Sequence, residues 1–176
     1  MRLLEQIKEA LTAFAGIGTQ PALIGGLALA AHNIVRATRD VNFLADADDA
    51  DRLHGLLLGL GYRCIHRNAD AANYVRGDEG LDLLYAHRPL ARRMLTQARE
   101  RETTMGTLRV ISAEGLIGFK LQGHLNDPSR NRDLDDIRAL LRANRGALNM
   151  SEVREYFVLF DREAMLDELV TETDPS

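Results

Sequence analysis

Two hydrophobic periods divide this chain. Leu4, Ile7, Leu11 and Phe14 recur at helical spacing, so MRLLEQIKEALTAFAG predicts an amphipathic helix at the start. Pro21 breaks it, and Ala22–Gly26 (ALIGG) predicts a short buried strand ended by glycines. Leu27 to Val35 predicts a mostly apolar helix. In RDVNFLA, Val41 and Phe43 alternate with Asp40 and Asn42, the period of a half-buried strand. Asp46 and Asp48 offer caps for a helix with Leu53, Leu56, Leu57 and Leu60 on one stripe, and Gly61 ends it. YRCIHR, ANYVR and LDLLYA predict strands separated by turn residues, Gly77 to Gly80 among them. Pro89 opens a helix over 90–98, and RETT-MG-TLRVI predicts a hairpin. From Ser112 the pattern is helical throughout, in segments near 112–124, 131–143, 151–159 and 162–171.

Strands mixed with helices, then helices alone, predict an α+β fold. Its mixed β-sheet core, flanked by helices, is expected over about 20–111, with a C-terminal helical segment, 112–176, packed on it as part of one 1–176 domain.

Composition narrows the class of protein. A net charge of -4 gives no global attraction to nucleic acid. The single cysteine, Cys64, excludes an internal disulfide and a cysteine-built zinc site. No stretch approaches the roughly 20 apolar residues of a membrane span, and Glu5, Lys8 and Glu9 stand where a signal peptide would be apolar. The expected location is the cytoplasm, with no membrane partner. Of the 22 basic residues only Lys8 and Lys120 are lysines, which draws attention to Lys120.

The candidate chemistry lies in the Asp40 strand. Residues two apart on a strand share a face, about 6.5–7 Å apart. Two carboxylates so placed, with a third from another strand, can hold magnesium, which takes oxygen ligands together with waters and substrate phosphates. Two such ions clamp the attacking and leaving oxygens of phosphoryl transfer. Asp40 fills the first position, and Asp82, an acid among Leu81, Leu83 and Leu84, is the candidate for the third. The plain alternative for Asp82 is the water-facing position of an alternating strand. Gly25-Gly26, between a strand and a helix, would let backbone approach a phosphate, although the Lys-Ser/Thr ending of a P-loop is absent.

Gly25, Gly26, Ala28, His32, Arg36, Thr38, Asp40, Val41 and Asn42 together resemble the signature of the minimal nucleotidyltransferases of the AbiEii toxin type, members of the polymerase-β-like superfamily. LIGFKLQGH and RNRDLDDIRALL resemble that family's later helices, so the likeness covers roughly residues 20–143. The resemblance implies a nucleotidyltransferase-like core and transfer of a nucleoside monophosphate from an NTP, with Mg2+ or Mn2+ as cofactor. It implies Asp40, Asn42 and Asp82 as catalytic and metal-binding residues. Gly25, Gly26, Arg36, Thr38, Lys120, Asp133 and Asp136 would serve NTP binding, Lys120 through a phosphate and one of the two acids by orienting it. An RNA or protein acceptor and a cognate antitoxin are implied partners.

One position departs from the family pattern. Asn42 stands where the second aspartate is typical, so the site has two acids in place of three. Asp46 cannot replace the missing acid, because it would lie about 20 Å along the strand from Asp40. An enzyme that works with the amide and a nucleotide- or partner-binding protein with a degenerate site are both consistent with this pattern. Arg88, Arg92 and Arg93 read as a charged helix face, and His32 and His124 as core or edge residues.

Overall fold

The computed structural model describes residues 2–175. The chain divides into two compact units: residues up to Ala31 with Arg36–Ile111, and His32–Val35 with the chain from Ser112 onward. The second unit therefore includes a short segment from far upstream in the sequence.

Among the described residues the first unit holds the seven strands: β1 (Ala22–Ile24), β2 (Asp40–Asp46), β3 (Arg63–Arg67), β4 (Ala71–Arg76), β5 (Glu79–Ala86), β6 (Arg99–Thr103) and β7 (Gly106–Val110). They form one mixed sheet in the order β3-β4-β5-β2-β1-β7-β6, with β2 in the middle. β2 runs parallel to β5 and antiparallel to β1. Helices α1 (Arg2–Phe14), α2 (Gly25–Ala31), α3 (Ala50–Gly59) and α4 (Pro89–Gln97) complete the unit. The α+β class expected from the sequence is the class observed.

The alternation along β2 sorts its side chains: Val41, Phe43 and Ala45 are buried, while Asp40 is exposed and Asn42 half-buried. Phe43 meets Phe14 of α1 edge to face, with ring centroids 5.5 Å apart. Ile7 and Phe14 of α1, Leu53 and Leu57 of α3, and Leu81 and Leu83 of β5 are fully buried in the same unit. Burying a side chain of this size stabilises by roughly 1.5–3 kcal/mol. Both outer strands resist pairing with other chains. β6 is Arg-Glu-Arg-Glu-Thr, and β3 carries an irregularity between Cys64 and His66.

Two boundaries differ from the sequence reading. The helix expected over Leu27 to Val35 is Gly25–Ala31. Gly25 turns the chain at φ 69°, and Asn33 takes a left-handed φ of 67° that ends the helix early. Strand β5 begins at Glu79, so Gly80 lies inside the sheet and not in the preceding turn.

The second unit contains α5 (Ala113–Asn126), α6 (Asn131–Ala143), α7 (Met150–Leu159) and α8 (Glu163–Thr173). Ser112 caps α5 by accepting from the Gly115 N–H, and Asn149 caps α7 by accepting from Glu152. Ile117, Leu121, Ile137, Leu140, Val153, Phe157 and Leu166 are fully buried there. Asn144 donates to the carbonyl of His32 at 3.4 Å, so the upstream segment is bonded into this unit. Among the described residues no helix is long and apolar enough to cross a membrane.

Arg76 anchors α1 and α3 to the sheet. It donates to Glu9 on α1 (2.6 Å), Glu79 (2.7 Å) and the Leu60 carbonyl (2.8 Å). Its guanidinium lies 4.5 Å from the Tyr62 ring centroid. The hydrogen bond from Arg76 holds the Glu9 carboxyl below the usual glutamate range. A depressed carboxyl contributes stability that is present above its ordinary value and lost as pH falls through the folded one. Because the pair is partly solvated, Glu9→Gln should cost only about 0.2–1 kcal/mol at neutral pH. Urea unfolding from about pH 6 to about pH 3 should show the parent losing more stability than the variant, so that the two converge in acid.

Candidate active site

The parallel β2–β5 ladder sets Asp40 opposite Gly80 and Asn42 opposite Asp82. Directly opposed residues point to one face of a sheet, so Asp40, Asn42 and Asp82 share the face opposite Val41, Phe43, Leu81 and Leu83. On the other side of β5, Asn73 of β4 is also opposite Asp82, and His66 of β3 is opposite Asn73. One polar row thus crosses four strands: Asn42, Asp82, Asn73, His66.

Close packing fixes the members of this row. A Cβ on Gly80 would fall 2.3 Å from Oδ1 of Asp40, so the carboxylate lies across the backbone of the neighbouring strand. Only glycine permits that approach. The carbonyl of Gly80 accepts from Gln6 of α1 at 2.9 Å on a part-buried contact. A Cβ on Gly25 would fall 2.5 Å from Nδ2 of Asn42, and one on Gly26 would fall 3.0 Å from Cβ of Thr38. The Gly25-Gly26 turn is therefore seated against Asn42 and Thr38 at the start of α2. Thr38 donates to the carbonyl of Asp40 at 3.1 Å, tying the loop before β2 to its first residue. Arg36 lies half-buried in the same loop.

Asp82 is not solitary. Nδ2 of Asn73 donates to its Oδ1 at 2.8 Å. Oδ1 of Asn42 is buried with no hydrogen-bond partner. A buried carbonyl oxygen without a donor costs roughly 1–3 kcal/mol, so this one is a candidate for a ligand's contact. Among the described residues no three His, Cys, Asp or Glu side chains gather as a metal site. The face that Asp40, Asn42 and Asp82 share offers two carboxylates and an amide, an oxygen-only set whose donor chemistry suits a hard cation such as Mg2+.

Lys120, Asp133 and Asp136 gather among themselves in the helical unit. Nζ of Lys120 lies 2.9 Å from Asp136 and 3.6 Å from Asp133, and Arg130 reaches Asp133 at 3.2 Å. Asp133 and Asp136 are 2% and 1% exposed, Lys120 18%. The two acids and two bases balance, as buried charge requires. Gly123 leaves the room, since a Cβ there would meet Oδ2 of Asp133 at 3.0 Å. Asp135 is exposed beside Arg138, and Arg92 of α4 reaches Asp46.

Against solved structures the likeness spans nearly the whole chain. The antibiotic-resistance factor ANT(2'')-Ia matches with a TM-score of 0.67 and 19% identity, over 95% of this chain and 96% of that one. The chain has the nucleotidyltransferase fold. The same factor in complex with adenylyl-2''-tobramycin matches with a TM-score of 0.67 and 18% identity, over 92% of this chain and 98% of that one. The lincosamide antibiotic adenylyltransferase LnuA, lincomycin-bound, matches with a TM-score of 0.55 and 16% identity, over 77% of this chain and 94% of that one. No protein-family model and no curated protein sequence matches the chain. In this nucleotidyltransferase fold the sequence reading missed Gly80 and Asn73. The available signal for Gly80 was a glycine next to a strand that carries a candidate acid. For Asn73 it was a lone amide between the buried Ala72 and Tyr74.

Two outcomes follow. Gly80→Ala should push the Asp40 carboxylate aside, and a Mg2+ ion held by that carboxylate would be bound roughly 10–100-fold more weakly, the usual effect of disturbing the support of a metal ligand. The check is a Mg2+ titration of the melting temperature, in which the variant's rise should be smaller. Lys120→Met removes the cation at 2.9 Å from the buried Asp136 and leaves Asp133 to Arg130 alone, and its expected cost is roughly 3–5 kcal/mol by urea unfolding at neutral pH.

Proposed function

We propose that this protein transfers a nucleoside monophosphate from an NTP to a hydroxyl group of a small-molecule acceptor, with Mg2+ or Mn2+ held by Asp40, Asn42 and Asp82. The observation that carries the reading is the parallel register that puts these three oxygen donors on one face beside the Gly25-Gly26 turn. The full-length likeness to ANT(2'')-Ia, seen with an adenylylated tobramycin, supports a small-molecule acceptor.

When bound, a divalent ion would neutralise charge on the triphosphate and favour attack of the acceptor hydroxyl at the α-phosphorus, the products being the nucleotidylated acceptor, pyrophosphate and a proton. The chain's own residues do the positioning. The Gly25-Gly26 turn presents the first N–H groups of α2 to the triphosphate. Thr38 fixes the strand end that carries Asp40, and Gly80 lets the Asp40 carboxylate lie flat across β5. Asn42 supplies an oxygen without charge, so the site carries two negative charges for the cation.

A second reading keeps the reaction and changes the acceptor. Gly25, Gly26, Arg36, Thr38 and Asp40 resemble the AbiEii toxin signature, which favours RNA or protein as acceptor, a toxin's role and a cognate antitoxin.

The test is incubation with Mg2+ or Mn2+ and each labelled NTP. Separate arms contain an aminoglycoside, a lincosamide, total RNA or a protein extract. Label on a small molecule, reduced to background by Asp40→Ala and by Asp82→Ala, is the expected outcome. Label on RNA or protein with the same dependence supports the second reading. Triphosphate binding with no transfer in any arm would leave a binding protein of this fold, the role that the neutral Asn42 favours.

A further inference from the structure

Asp82 lies between two amides, and they treat it differently. Asn42 is opposite it on β2, with its Nδ2 against the Gly25 turn and its Oδ1 buried without a partner. Asn73 is opposite it on β4 and donates to Oδ1 of Asp82 at 2.8 Å. Buried neighbours place Asn73. Ala72 and Tyr74 flank it in the chain and are 0% and 1% exposed, so the strand cannot turn without exposing Tyr74. A shift of one residue between β4 and β5 would put Asn73 on the wrong face. The donor is thus fixed relative to the carboxylate by the sheet itself.

A carboxylate has two oxygens with room for about four hydrogen bonds or ligand contacts. One rigid N–H on Oδ1 stops the group from spinning about its last torsion, which is otherwise broad. We infer that Asn73 is a positioning residue for the divalent-cation site: its amide clamps one oxygen of Asp82 and reserves the other for the cation. This inference rests on the metal-site reading above and adds to it a residue from a third strand. It also gives a reason for an amide at position 73. An acid there would repel Asp82, and an aliphatic residue would leave the carboxylate free to rotate.

The competing account is an ordinary cross-strand pair that adds a little to the sheet and nothing to the cation. Mn2+ binding to the full chain without nucleotide separates the two, measured by the paramagnetic resonance signal of free Mn2+. Asn73→Leu keeps the shape and removes the donor. It should weaken Mn2+ binding by roughly 10–100-fold, as loss of a ligand's supporting hydrogen bond does, and leave the metal-free melting temperature within a few degrees. Asn73→Gln, which retains an amide donor, should recover part of that loss. Mn2+ affinity within twofold of the parent in Asn73→Leu would overturn the inference while the site itself stands. So would equal losses in Asn73→Leu and Asn73→Gln. Absence of Asp40-dependent Mn2+ binding in the parent would overturn the metal-site reading, and the inference with it.

Discussion

The parallel register between β2 and β5 is the constraint on which the candidate site depends. Parallel neighbours cannot be joined by a tight turn. Here α3 and the β3–β4 hairpin fill the connection, and the register is set by burial. Val41, Phe43, Leu81 and Leu83 must all face the core. Sliding β5 by one residue would expose Leu81 and Leu83 and turn Asp82 inward, an error of several kcal/mol in lost burial alone. The same apolar residues that stabilise the sheet thereby fix Asn42 opposite Asp82 and Asp40 opposite Gly80. Precision at the polar face is a by-product of packing at the apolar one.

The two charge clusters of the chain follow opposite designs. Lys120, Arg130, Asp133 and Asp136 form a balanced set, with both acids almost fully buried. Such a set balances its own charge. The Asp40, Asn42, Asp82 set holds two acids and no base, on a face where Asp40 is exposed. Its negative charge is uncompensated by the residues that pair across the strands, which suits a cation. The amide at position 42 reduces repulsion between the acids in the absence of metal and reduces attraction when metal is present. Stability and cation affinity therefore pull in opposite directions at this one residue.

Much of the fold was legible because it follows from periodicity. The helical spacing of Ile7 and Phe14, the alternation about Asp40 and the leucine stripe of α3 each determine an element locally. The errors came where two local rules competed. Gly77 and Gly80 both signal a turn, yet Gly80 belongs to β5, because a close approach by Asp40 demands a glycine there as strongly as a turn would. Apolar residues after Gly26 suggested a helix reaching Val35, but Asn33 accepts the left-handed conformation and stops it. In the site, the spacing of Asp40 and Asn42 on one strand was readable directly. The bond from Asn73 to Asp82 was not, since pairing between strands is a tertiary fact. The ion pairs of Lys120 likewise depend on the packing of α5 on α6.

The segment His32–Val35 has a consequence for how the chain is made. It belongs with helices that begin 80 residues later, counted from His32 to Ser112. As the chain leaves the ribosome, the helical unit cannot be completed from its own contiguous stretch. It must recruit a piece that has been waiting between α2 and β2 while the whole sheet was synthesised. Contacts so distant in sequence are slow to form. The β1–β7 pairing, with Leu23 opposite Val110, is of the same range, so the sheet too is completed only after residue 110 has been made.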